Sequence, residues 1–164
     1  MSLDLTIQNR QRTRAINTRQ LRQIIATLLA ELLKIKNAEL GVTLVAAPEM
    51  TRLNEAFLQH EGSTDVITFD HREPGTLNLE FGTTLHGEIF VCVDEAIVQA
   101  RRFRTTWQSE VVRYIVHGVL HLLGHQDHRA ADRRAMKREE NRLLTLLVAR
   151  FPLSRLARKT KLAT

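Results

Sequence analysis

A lone cysteine, Cys92, leaves this chain unable to close an internal disulfide. That excludes a small disulfide-stapled scaffold. Prolines number three and glycines seven, too few for a collagen-like or low-complexity chain. No apolar run approaches the roughly 18 residues that span a bilayer. MSLDLTIQNRQRTR, at the start, has no apolar core of a secretory signal, so none is expected. One Trp and one Tyr, Trp107 and Tyr114, are too few for a base-stacking platform and are expected to pack in the core. These absences together fit a reducing cytoplasm and no membrane partner.

What is present is an ordinary globular composition. Hydrophobic residues make up 43% and charged residues 26% of 164 positions, enough for one domain with a real core. Lys and Arg exceed Asp and Glu by 24 to 18, a net charge of +6. A basic balance favours an anionic partner such as nucleic acid, though only weakly by itself. The surplus gathers at the ends. Arg10, Arg12, Arg14, Arg19 and Arg22 crowd the start, and a tail from 152 to 164 carries Arg155, Arg158, Lys159 and Lys161 without acids. That tail is expected to be disordered, beyond a single domain over 1–151.

Asn17 and Thr18 read as a helix start, followed by Leu21, Ile24, Ile25, Leu28, Leu29, Leu32 and Leu33 at helical spacing. Residues 41 to 47 read as a buried strand, and Pro48 opens a helix through about Gln59. Residues 65 to 69 and 87 to 93 read as further strands, with a loop over 71 to 84 between them. Helices are expected from Asp94, from about Thr105 to Leu123, and from about Ala130 to Val148. The fold class is α+β: a small mixed sheet covered by helices, with a metal-binding helix-turn in the C-terminal half.

HGVLHLLGHQDH, residues 117 to 128, concentrates four of the chain's seven histidines. His117 and His121 lie four apart on the predicted helix, so their side chains project side by side. Gly124 accepts the left-handed conformation that ends a helix and turns the chain back. His125, Asp127 and His128 are then all in range as a third ligand. A lone His on an apolar face is usually a core residue, but a pair, a glycine turn and further ligand types form a metal site. Imidazole with at most one carboxylate suits one zinc ion, with nickel or another transition metal as the alternative. Three protein ligands leave an open fourth position, the mark of a catalytic site. The zinc-protease motif H-E-x-x-H needs a Glu after the first His; Gly118 stands there, and the protease reading loses its base.

The segment 117 to 128 resembles the signature H-G-x-L-H-L-x-G-x-x-H of the YbeY-type endoribonucleases, bacterial rRNA maturation factors. Residues 53 to 70, LNEAFLQHEGSTDVITFD, are similar to that family's L-N-x-x-Y-R…T-D-V-L-S-F block. Residues 87 to 100 are similar to its G-D-I-x-I…Q-A block, and the likeness runs from about Leu40 to Asn141. The resemblance implies a zinc-dependent single-strand endoribonuclease acting in 16S rRNA 3′-end maturation and ribosome quality control. Its partners would be rRNA precursor and the small ribosomal subunit, with no DNA. It places the third ligand ten residues after His117, at Asp127, with His128 as the alternative if the chain bulges by one. His125 becomes a wall residue. The family's Arg after the Tyr is Leu58 here, following Phe57; His60, two residues on, is a weak substitute for substrate contact.

Arg113 is the better substrate-binding candidate, with Arg101, Arg102 and Arg104 as further phosphate ligands or solvated surface. Thr64, Asp65 and Glu88 match family positions, and Asp65 reads first as a cap of its own strand. Cys92 reads as a small buried residue. Either a metal-activated water or the RNA 2′-OH could attack the phosphorus. The rival classes are a non-nuclease metallohydrolase, which lacks a base beside the histidines, and a ribosome-associated RNA-binding factor with a structural zinc, whose fourth coordination place protein would fill.

Overall fold

A computed structural model describes residues 2–72 and 84–158. Its sheet has four strands: β1 (Ser2–Asn9), β2 (Asn37–Val45), β3 (Val66–Asp70) and β4 (Thr84–Cys92). They lie in the order β1-β2-β4-β3. β1 and β2 pair in parallel with Leu5 beside Leu40, β2 and β4 in parallel with Val42 beside Ile89, and β3 runs antiparallel to β4. The sheet is therefore mixed, as expected. Parallel neighbours need a long crossover. Between β1 and β2 it is supplied by α1 (Thr18–Thr27), capped by the Asn17 side chain and prolonged by a π-helical turn over Leu28–Leu32.

β1 was not among the expected strands. Its signal is present, since Leu3, Leu5 and Ile7 alternate with polar residues, but the strand is an edge and only Leu5 is buried. β2 and β4 also start earlier than expected, at Asn37 and Thr84. Most of the predicted loop over 71 to 84 lies outside the described residues.

Side-chain alternation gives the sheet two unequal faces. Leu40, Val42, Leu44, Leu85, Ile89 and Val91 point into the main core beneath α1, α4 (Trp107–Leu122) and α5 (Ala130–Arg150). Val45, Ile67 and Cys92 point the other way, into a small second core closed by Met50 of α2 (Ala47–Leu53). The remainder of that second face is polar. There Glu88 meets His71 at 2.9 Å, on the side away from α4.

α3 (Val93–Phe103) leads from β4 to α4. α4 then lies across β3 and β4, and it lies close because of two glycines. A Cβ on Gly118 would stand 3.0 Å from two Ile89 carbons, and one on Gly87 would meet Leu122 Cδ2 of α4 at 2.8 Å.

The start of the expected disordered tail is ordered. Residues 153–156 form a 3-10 turn, Leu156 is 1% exposed in the main core, and its carbonyl accepts from the Asn17 amide at 2.8 Å. The apolar Leu153 and Leu156 fill a gap beside α1, which outweighs the charge of their neighbours. Residues 159 to 164 lie outside the described residues. Among those described, no helix is long and apolar enough to cross a membrane.

Candidate metal centre

α4 is started by a reciprocal cap: the Ser109 amide donates to Thr106 Oγ1, and the Thr106 amide to Ser109 Oγ. It stops at Gly124, whose φ of 100° lets the Gly124 and His125 amides fold back onto the His121 and Leu120 carbonyls. The following loop is held by Arg133, which donates to the carbonyls of Asp127 and His128. The turn carries Asp127 back over the histidine pair.

His117 and His121 stand with their Nε2 atoms 3.0 Å apart. Asp127 Oδ2 lies 3.3 Å from His121 Nε2 and 3.9 Å from His117 Nε2. Two ligands about 2.0–2.1 Å from one tetrahedral ion stand about 3.3 Å apart. The three separations bracket that edge, so these donors fit a single zinc-sized ion. Among the described residues this is the group of three ligand-type side chains able to hold a metal. His128 and His125 are exposed and stand outside it.

The second nitrogen of His117 is occupied. Its Nδ1–H donates to Glu140 Oε2 of α5 at 3.0 Å. A carboxylate only accepts, so this bond fixes the tautomer and leaves the Nε2 lone pair facing Asp127 and His121. Glu140 is 7% exposed, and Arg113 stands 3.9 Å away while donating to Asn141 Oδ1 at 2.8 Å. Burial pulls the His117 pKa down, but the Glu140 bond and the charges of Glu140, Asp65 and Asp127 outweigh it and leave it raised. Burial and the neighbouring His117 lower that of His121.

Sequence reading missed Glu140, though a signal existed. Glu140 interrupts the apolar stripe Met136, Leu143 and Leu147 of α5. A charge in such a stripe needs a buried partner. Replacing it by Gln keeps the shape and removes the charge. Glu140→Gln is expected to weaken zinc binding about 10- to 100-fold with an unchanged circular dichroism spectrum, as a competing-chelator titration would show. Unaltered affinity would mean that the carboxylate does not orient the ligand.

Other predicted residues divide. Arg113 lines a cavity beside His117, as does Asp65, whose Oδ1 also accepts from the Val66 amide at 2.8 Å and so starts β3. His60 is exposed and lines neither that cavity nor the metal group, and Arg101, Arg102 and Arg104 are exposed on or beside the end of α3. Leu58 and Phe57 are exposed, with Phe57 edge-on to Phe69 at 5.4 Å. Cys92 is buried, which pushes its thiol pKa up. Trp107 packs against the main core.

The family model described as Endoribonuclease YbeY matches residues 6–148. A protein named Endoribonuclease YbeY from Parabacteroides distasonis is 32% identical over 119 residues, covering 73% of this chain and 78% of that protein. Another of that name, from Chlorobium luteolum, is 40% identical over 96 residues, covering 58% of this chain and 64% of the other. A solution structure of a Thermotoga maritima protein shares the fold, with a TM-score of 0.66 at 24% identity, over 92% of this chain and 93% of that one.

Proposed function

The chain belongs to the endoribonuclease YbeY family, and from that premise we propose that it is a zinc-dependent, single-strand endoribonuclease of 16S rRNA 3′-end maturation and ribosome quality control. It is a hydrolase of the phosphodiester bond, working in the cytoplasm on rRNA precursor at the small ribosomal subunit. The observation that carries the metal reading is the convergence of His117, His121 and Asp127, with the far nitrogen of His117 held by buried Glu140.

His117 and His121 would hold the ion through Nε2, and Asp127 through a carboxylate oxygen. When bound, zinc supplies Lewis-acid chemistry, polarising a phosphoryl oxygen or acidifying a water. The protein's own part is positional. Glu140 keeps the His117 lone pair aimed at the site, and Arg133 keeps the Asp127 loop in place. Arg113 and Lys137, on the cavity wall beside His117, offer positive charge to the phosphates on either side. Three donors leave room for substrate, which favours a catalytic over a structural zinc. Attack by the 2′-OH would leave 2′,3′-cyclic phosphate ends, and attack by water alone would not, so mass spectrometry of the products identifies the nucleophile.

The test uses protein purified without a histidine tag. Zinc is expected near one per chain in the wild type and in His128→Ala, with both cleaving single-stranded RNA. Asp127→Ala is expected to lose most metal and most cleavage. The reverse pattern would move the third ligand to His128. A wild type that takes up no zinc and cleaves nothing in its presence would overturn the reading.

A further inference from the structure

The cavity beside His117 has a volume of about 390 Å³ and is walled by α3, α4, α5 and the start of β3. It holds more chemistry than the metal centre uses. At its mouth Phe103 ends α3 and is 61% exposed, with the Arg102 guanidinium 5.4 Å from its ring centre. At its wall Glu110 is 6% exposed, and one of its oxygens accepts from Thr105 Oγ1 at 2.7 Å. A carboxylate has acceptor sites for about four hydrogen bonds, and among the described residues Thr105 supplies one side-chain donor to it. Tyr114, 5% exposed, lines the wall beside it. Lys137 has no ion-pair partner among the described residues.

Glu110, Tyr114, His117 and His121 follow one another at three- and four-residue steps along α4, with Arg113 one turn before His117 on the flank of that face. One helix face therefore runs from the inner wall of the cavity to the metal ligands. A flat apolar ring, buried acceptors beyond it and cations beside the metal centre describe a site for a planar, N–H-bearing ring joined to a phosphate. The volume lies in the range of small-ligand pockets.

We infer that this cavity is a nucleobase pocket, which takes the base adjoining the phosphodiester at the metal centre and stacks it on Phe103. The inference rests on the RNA reading above and gives it a substrate preference. The acceptors Glu110 and Asp65 match exocyclic amino groups, which adenine, cytosine and guanine carry. Uracil offers a single ring N–H, so amino-bearing bases are preferred to it.

Two measurements on the zinc-loaded, full-length protein test this. In the first, each position around the cleavage point of a single-stranded RNA is made abasic in turn. An abasic residue at one adjoining position is expected to raise KM about tenfold, the scale of one stacked base. Phe103→Ala is expected to remove that sensitivity. In the second, cytidine 5′-monophosphate, uridine 5′-monophosphate and ribose 5-phosphate are titrated into isotope-labelled protein and followed by NMR. The cytidine nucleotide is expected to bind several-fold more tightly than the uridine one, with ribose 5-phosphate weakest. A flat abasic scan with normal cleavage, or ribose 5-phosphate binding as well as the nucleotides, overturns the pocket and leaves the nuclease reading intact. Base-dependent nucleotide binding by a protein that cleaves no RNA supports the pocket and removes the nuclease reading.

Discussion

His117→Ala is expected to abolish zinc loading, to slow RNA cleavage by at least roughly a thousandfold, and to destabilise the metal-free protein as well. The first two effects follow from the proposed ligand role, since a Lewis acid contributes several kcal/mol to a phosphoryl-transfer barrier. The third follows from Glu140. Its carboxylate is buried, and the His117 Nδ1–H is its shortest contact, with Arg113 farther off at 3.9 Å. Removing the donor strands the acceptor, at a cost of about 1–3 kcal/mol. His121→Ala provides the contrast. His121 faces His117 and Asp127 at the more open end, and burial and the His117 charge already disfavour its own charge. It is expected to lose metal and cleavage while the metal-free stability stays within about 0.5 kcal/mol of wild type. Urea unfolding with and without zinc separates the two. Zinc raises the wild-type midpoint by mass action and should leave both variants unmoved. Stoichiometric zinc in His117→Ala would sink the assignment.

Gly118→Glu is expected to unfold the protein, although it completes the protease motif H-E-x-x-H. Position 118 is buried where α4 crosses the sheet. The first added carbon would lie 3.0 Å from Ile89 Cδ1 and Cγ2 and 3.1 Å from Thr68 Cγ2. These neighbours sit on β4 and β3, and Ile89 is fully buried in the main core, so a glutamate there must push Ile89 and Thr68 aside or lift α4 from the sheet. Overpacking of this kind costs about 1–3 kcal/mol. A carboxylate with no partner beneath the helix adds several more, for a total of about 4 kcal/mol or above. That is a large share of a domain's stability. Gly118→Ala provides the graded version: the clash remains, but alanine's better helix propensity returns about 1 kcal/mol, so a smaller loss is expected. Circular dichroism and urea midpoints report both. A Gly118→Glu protein that folds with wild-type stability would show that α4 does not lie on the sheet through this glycine. The same geometry explains why no general base follows the first histidine: that position is spent on helix–sheet contact.

Much of this was legible along the chain because it is local. The i, i+4 spacing of His117 and His121, the helix stop at Gly124 and the apolar periods of α1 and α4 all depend on neighbours within a few residues. The return of Asp127 also depends on a short turn, and the resemblance of residues 53 to 70, 87 to 100 and 117 to 128 pointed to the same family that the comparisons show. What local pattern did not reveal is what the chain builds across distance. β1 is a weak edge strand by its own residues and becomes one because it finds β2, each residue pairing with one 35 positions on. Leu156 reads as part of a basic tail until the gap beside α1 takes it in. Glu140 is one acid among many on a charged helix until α5 packs its buried stripe against α4, 23 residues away from the histidine it holds. Residue types and short spacings determined which groups could bind a metal. Tertiary packing decided which oxygen orients His117, why Gly118 must be glycine, and which side chains line the cavity next to it, because burial and partner choice exist only once distant segments have come together.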